Sequence, residues 1–241
     1  MAQVYIDKKG IWHASGAIPN QNLFINSDFH IRNTQGTWDT SLNGTLVAEN
    51  WGGYNGGVSN PTTGYHAHLY LLNGEYVYRY VDESGRWLGV SQGGLQSKLK
   101  ANTAYTFTVD QMRPTGSTTY LFGGLYYYAT GASSASFGLG QFNGSSETKY
   151  NQWTKLIYHF TTPSNIDLTK EVRWYIYGHH SGGGIVYMKH PKIEQSSTFT
   201  PWGLNTSENY ELLTHGFVEE SYKETHIYNK EYMGANQFYE I

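Results

Sequence analysis

The chain has 241 residues, 16% of them aromatic and only 15% charged, with 22 tyrosines, 28 glycines and no cysteine. The absence of cysteine excludes disulfides, thiol catalysis and zinc–thiolate sites. A net charge of −3 gives no global basic field for nucleic acid, and no run approaches the roughly 20 apolar residues of a membrane helix.

Residues 1–20 read as a short arm with one strand-like piece, "QVYI", followed by a Gly/Pro-punctuated link. The opening lacks the basic and apolar regions of a signal peptide, so the sequence predicts a soluble protein without a secretion leader. From residue 21 the apolar pattern has period 2, the signature of half-buried strands. Before the first such strand, "ENWGGYNGGVSN" (49–60) places Trp51 and Tyr54 in a glycine-rich loop. Exposed loop aromatics mark binding sites; a loop folded over the edge of the domain is the equal alternative.

In "YHAHLYLL" (65–72), Ala67, Leu69 and Leu71 share one face, and His66, His68 and Tyr70 the other. "YVYRYVD" (76–82) separates Tyr76, Tyr78 and Tyr80 from Val77, Arg79 and Val81, and "AYTFTV" (104–109) separates Tyr105, Phe107 and Val109 from Thr106, Thr108 and Asp110. Further strands are expected at 119–128, 155–161, 172–179 and 184–194, while "GLGQFNG" (138–144) reads as a flexible loop. Asn73-Gly74, Gly93-Gly94 and Pro114-Thr-Gly116 are turn signals. No helical stripe interrupts residues 20–200. Evenly spaced strands of this kind predict an all-β antiparallel sandwich.

After Trp202 the composition changes. From Asn205 onward there are seven Glu and two Lys, which leaves the rest of the chain slightly positive. Phe217, Tyr222, Tyr228, Tyr232, Phe238 and Tyr239 are too many aromatics for a solvated linker. Residues 204–241 are therefore expected to be an extension for self-association or attachment.

Four stretches occur in an order that resembles the carbohydrate-binding-module-like jelly rolls found in tail and baseplate proteins of phages of Gram-positive bacteria. "NLFINSDF" (22–29), with Trp38 soon after, resembles their first strand. "LKANTAYTFTV" (99–109) resembles a later strand, although Asn102 stands where Gly is usual. "QWTKLIYHFTTP" (152–163) resembles the Trp-initiated penultimate strands. "VYMKHPKIEQSSTFTPW" (186–202) resembles the closing strand with its Lys, Glu, Thr and Trp, and "GANQFYEI" resembles the end of such phage proteins. The resemblance covers about residues 22–203. It implies a jelly-roll β-sandwich over 21–203 whose first and last strands meet, with Trp38, Trp153 and Trp202 in core or rim packing. It requires no cofactor but admits a structural calcium, with Asp28 as the candidate ligand.

Histidines 179 and 180 are neighbours on a strand and leave on opposite faces, so they cannot grip one ion together. His66 and His68 share a face, yet zinc needs further convergent ligands, and a surface or groove role is favoured. Asp39, Glu49, Asp82, Glu83, Asp110 and Glu147 form no recognisable catalytic pair, and Asp110 is placed as a polar member of a groove face. The chain contains no nucleophile elbow, phosphate loop or His-Glu-x-x-His motif.

"VRWYIYGHH" (172–180) is the most informative stretch. Val172, Trp174 and Ile176 form an apolar face, while Arg173, Tyr175, Tyr177 and His179 form a planar, polar-tipped one. Rings of this kind suit the C–H faces of sugars, and Arg and His offer donors to hydroxyls. Tyr126 and Tyr128 share a face on a nearby strand, and Gly123 and Gly124 are expected to leave open space for a groove. The alternative is a tyrosine-rich sheet packed on a neighbouring chain.

The sequence thus predicts a non-enzymatic domain in the virion, at a phage tail tip or baseplate. It would adhere to host cell-wall polysaccharide, with other tail or baseplate proteins as partners and homo-oligomerisation expected. The rivals are a baseplate assembly protein that binds no sugar and the accessory module of a saccharide-cleaving enzyme.

Overall fold

The structure, a computed structural model, describes residues 3–6, 12–15, 21–29, 48–54, 65–82, 88–179, 184–203 and 205. Trp38 and the extension after Asn205 lie outside the described residues. Near the start, β1 (Gln3–Ile6) pairs antiparallel with β2 (Trp12–Ser15), so the stretch expected to be a plain link supplies a second strand.

The remaining described strands are β3 (Gly52–Tyr54), β4 (Tyr65–Leu72), β5 (Glu75–Asp82), β6 (Leu88–Gln92), β7 (Ala104–Met112), β8 (Tyr120–Tyr127), β9 (Ser136–Asn143), β10 (Thr154–Thr161), β11 (Arg173–His179) and β12 (Gly184–Glu194). They form two five-stranded antiparallel sheets, ordered β10-β7-β12-β5-β4 and β3-β6-β11-β8-β9. The chain passes repeatedly between the sheets, giving an all-β jelly-roll sandwich. Among the described residues the only helical element is a 3₁₀ turn at Leu95–Ser97.

Alternation decides what enters the core. Tyr105, Phe107 and Val109 of β7 and Trp174 and Ile176 of β11 are fully buried. Trp174 stacks on Phe107 across the sandwich with ring centroids 4.5 Å apart, and Phe142 and Phe160 pack around it. Tyr78 and Tyr80 are also fully buried. Buried hydroxyls need partners, and both have them: Tyr78 Oη accepts from the Ala48 amide at 2.9 Å, and Tyr80 Oη donates to the Ile176 carbonyl of the opposite sheet at 3.2 Å. Leu71 keeps the face of Ala67 and Leu69 but, at the end of β4, is 36% exposed.

Asn73-Gly74 joins β4 to β5 with positive φ at both residues, 53° and 83°, the geometry of a two-residue hairpin turn. Asn102, the departure from the family pattern, has φ 49°. Asn tolerates this left-handed conformation better than other non-Gly residues. "GLGQFNG" is not a loop. It forms most of β9, an irregular strand whose pairing with β8 shifts twice and whose Gly138 and Gly140 have φ 140° and 72°.

The two ends of the jelly roll meet as expected. The Leu23 amide donates to the Ile193 carbonyl at 2.8 Å, and Asn22 bonds Ser27, Pro191 and Ile193. Residues 21–29 are bent rather than a regular strand, and they drop Phe24 and Phe29 into the core against Trp51. The closing motif has a physical account. Lys192 and Glu194 form a fully buried ion pair at 3.1 Å on the outer face of the β10-β7-β12-β5-β4 sheet. The returning segment covers them: Lys192 Nζ donates to Thr200 Oγ1 at 2.7 Å and to the Pro201 carbonyl at 2.8 Å, while Glu194 accepts from the Thr200 amide at 2.8 Å. Such a pair is tolerable in burial because each partner is also hydrogen-bonded.

Candidate functional site

The outer face of the β3-β6-β11-β8-β9 sheet is aromatic. Register aligns Arg173 with Tyr126, Tyr175 with Gly124 and Tyr177 with Phe122 across β11 and β8. Tyr175 and Tyr177 stack almost in parallel, with centroids 5.4 Å apart and planes 7° apart. Tyr126 meets Tyr175 edge-on at 6.0 Å. The Tyr126 and Tyr128 hydroxyls lie 3.3 Å apart, as their shared face requires. That hydrogen bond, with burial and the nearby Tyr175 and Glu171, raises the Tyr126 pKa above its ordinary value.

Phe137 of β9 was not singled out in the sequence. It leans edge-on against Tyr175 and Tyr177, at 6.2 and 6.0 Å, and remains 39% exposed. Its signal was the alternation inside "SFGLGQFN", masked by the glycines. Phe137, Tyr175 and the Gly89 floor together cover Tyr177, which is only 7% exposed. Tyr177 therefore supports the cluster rather than forming an open platform. Tyr126, Tyr128, Phe137 and Tyr175 keep accessible ring surface, as do Phe122 and Tyr120 farther along the same face of β8.

The low floor lies on the β6 side of β11, not at Gly123 and Gly124. A Cβ on Gly89 would sit 2.6 Å from Tyr177 Cδ1. The space beside Gly123 is filled by the Tyr175 carbonyl and Phe142, and that beside Gly124 by the backbone of Leu139 and Gln141.

At the margin, Arg173 Nη1 donates to Ser91 Oγ at 3.0 Å and Nη2 donates to Glu171 Oε1 at 2.5 Å. Lys170 Nζ lies 4.8 Å from the Tyr128 ring centroid, donates to the Ala132 carbonyl at 2.9 Å and sits 4.0 Å from Asp167. Glu171, Ser91 and Lys170 were absent from the sequence reading: Ser91 and Lys170 contribute only when β6, β8 and the start of β11 lie side by side, while Glu171 shares the face of Arg173 two residues on and could have been read from alternation.

Other expected site residues sit elsewhere. Trp51 is 5% exposed, with its indole N–H donating to the Asn26 carbonyl at 3.0 Å. It is a core residue closing the sandwich edge, because Phe24 and Phe29 supply the apolar neighbours its own loop lacks. The backbone of Tyr54 pairs with Gly89, and that of His179 with Tyr120; both side chains lie outside the described residues. His68 is 3% exposed on the outer side of β4, so it is neither a surface nor a groove histidine.

Asp110 faces outward from the opposite sheet and does not join the tyrosines. It binds Lys155 at 2.5 Å and His190 Nδ1 at 3.1 Å, while His190 Nε2 meets Glu75 at 2.9 Å and Glu75 binds Lys189 at 2.5 Å. Burial works to raise the pKa of both carboxyls. Hydrogen bonds from His190 and the two lysines outweigh it, holding Asp110 below its ordinary value and Glu75 at about 2.

Asp28, the candidate calcium ligand, is half-buried in the bent opening segment. The Asn26 carbonyl accepts from Phe29 and Trp51, and the Leu23 carbonyl accepts from the Lys98 ammonium at 2.7 Å. Among the described residues no three His, Asp or Glu side chains gather as a metal site.

No family model and no curated protein matches the chain. Many solved structures share its fold, among them the following two. A putative sugar binding protein from Bacteroides thetaiotaomicron is 12% identical, with 73% of this chain covering 100% of that one at a TM-score of 0.52. The CBM22-1 xylan-binding domain of Xyn10C from Paenibacillus barcinonensis is 13% identical, with 76% of this chain covering 100% of that one at a TM-score of 0.50. At such identities the likeness concerns the fold alone.

Proposed function

We propose that this chain is a non-catalytic saccharide-binding domain whose sugar docks on the outer face of the β3-β6-β11-β8-β9 sheet. One observation carries the reading: Tyr126, Tyr128, Phe137 and Tyr175 converge on a single sheet face beside the Glu171–Arg173 ion pair. Aromatic rings offer contact area to the C–H faces of a sugar at little entropic cost, and the ion pair and phenols offer donors and acceptors to its hydroxyls. The two neighbours in fold, described as a sugar binding protein and a xylan-binding domain, support the reading by analogy.

The finer reading places the domain at a phage tail tip or baseplate, adhering to a cell-wall saccharide of a Gram-positive host. It rests on the ordered motifs from "NLFINSDF" to the Lys192–Glu194–Thr200–Trp202 ending. Weak binding at one site is offset by many copies on one particle. The test is a glycan array probed with the full chain, followed by adhesion to host cells with and without free glycan as competitor. Binding only to other tail proteins would favour an assembly role. Release of reducing ends from the polysaccharide would favour a saccharide-cleaving enzyme.

A further inference from the structure

We infer that Glu171 and Arg173 are the specificity element of this face, and that the saccharide it takes is uncharged. The inference rests on the sugar-binding reading above and adds the ligand's charge class to it.

The argument starts from the two cations. Anion recognition by arginine uses its fork of N–H groups, aimed together at a phosphate or carboxylate. Here the fork is split between two partners, with Nη1 on Ser91 Oγ at 3.0 Å and Nη2 on Glu171 Oε1 at 2.5 Å, and its charge is matched by Glu171. An incoming anion would meet the Glu171 carboxylate, itself 52% exposed at the margin. Lys170 is likewise engaged by the Tyr128 ring, the Ala132 carbonyl and Asp167. In the described part of this face, two cations are thus matched by two carboxylates. A phosphate or uronate brought onto the rings would lose water, gain no unmatched positive charge and meet the Glu171 carboxylate.

A hydroxyl faces the opposite balance, because it donates and accepts at once. A carboxylate has room for about four acceptor contacts and a guanidinium has five N–H groups, so an ion pair using one contact between its members keeps capacity on both. Glu171 and Arg173 therefore present adjacent acceptors and donors next to Tyr126, the register partner of Arg173. Neighbouring hydroxyls on an unmodified sugar ring match that arrangement.

The test titrates the full chain against neutral polymers (xylan, a mixed-linkage glucan and a polyrhamnose) and against polyglycerol phosphate and polygalacturonate. Each titration is run at about 20 mM and about 500 mM NaCl, which brackets strong and weak screening. The expected result is binding to a neutral polymer within twofold at the two salt concentrations, and none to the anionic ones. Glu171→Gln should weaken neutral binding about tenfold while leaving Tm unchanged. Binding to an anionic polymer that falls steeply with salt overturns the inference. So does unchanged neutral affinity in Glu171→Gln while Tyr175→Ala abolishes binding, an outcome that leaves the sugar-binding reading standing. If binding is indifferent to both substitutions, or no polymer of either class binds, that reading and this inference fall together.

Discussion

Trp202 stacks on the imidazole of His190, with ring centroids 4.1 Å apart and planes 26° apart. His190 occupies a bulge in β12 at φ 52°, which stands its ring between Asp110 and Glu75. Both ring nitrogens face carboxylates, so both carry protons. Burial works against that charge, but the bonds to Asp110 and Glu75 outweigh it and raise the His190 pKa above its ordinary 6.5.

The signs give a stability window. The raised histidine contributes stability that is complete below about pH 6.5 and is lost as pH climbs through its folded pKa. The lowered carboxyls contribute stability that is complete above about pH 4.5 and is lost as pH falls toward the Glu75 value of about 2. Thermal unfolding should therefore show a plateau between those limits and a decline on each side. His190→Asn, which suits the positive φ, should flatten the alkaline decline. An alkaline limb of unchanged slope in that variant would refute the clasp.

Gly89 lets the Tyr177 ring lie across β6. An added Cβ would come within 2.6 Å of Tyr177 Cδ1 and 2.7 Å of the Ile176 carbonyl, and that carbonyl is backbone that cannot rotate away. Gly89→Ala should cost about 1–3 kcal/mol in denaturant unfolding, as overpacking does. It should also weaken saccharide binding, because Phe137 and Tyr175 rest on Tyr177. A variant with wild-type stability and affinity would show that the floor does not position the rings.

Much of this fold is legible in period-2 alternation. The predicted strands at 119–128, 155–161, 172–179 and 184–194 match β8, β10, β11 and β12 closely because each carries one buried face. β9 was lost because Gly138 and Gly140 break the pattern where the strand bulges. Parity told that Asp110 points outward but not from which sheet, since strand alternation is blind to the partner across the sandwich. The same limit hid Ser91, whose meeting with Arg173 depends on β6 lying beside β11, whereas Glu171, two residues before Arg173, was legible from parity and went unread. Trp51 misled for another reason. Its core neighbours Phe24 and Phe29 come from far upstream, and only the tertiary fold brings them to the glycine-rich loop.

That placement of Trp51 makes it a stability residue. Trp51→Ala should cost roughly 3–5 kcal/mol of folding energy. Trp51→Phe, which keeps apolar volume but loses the hydrogen bond to the Asn26 carbonyl, should cost less and leave saccharide affinity unchanged. If Trp51→Phe abolishes binding while unfolding at the wild-type midpoint, the loop touches the sugar directly.

Tyr175, Tyr177 and Trp174 test the two faces of β11 against each other. Trp174 is fully buried, stacked on Phe107 and ringed by Phe142 and Phe160. Trp174→Ala should cost roughly 3–5 kcal/mol of stability as a core truncation. Tyr175 is half-buried on the opposite face. Tyr175→Ala should weaken binding by on the order of 1–3 kcal/mol, by analogy with stacking on other flat rings, with little loss of stability. Tyr177 lies between these cases. At 7% exposure it is packed by its neighbours, so Tyr177→Ala should lower both stability and affinity. Urea unfolding and calorimetric titration on the same three variants separate the effects. Full affinity in Tyr175→Ala would move the sugar off this face, and a Tyr177→Ala variant as stable as wild type would show its ring to be open rather than supporting.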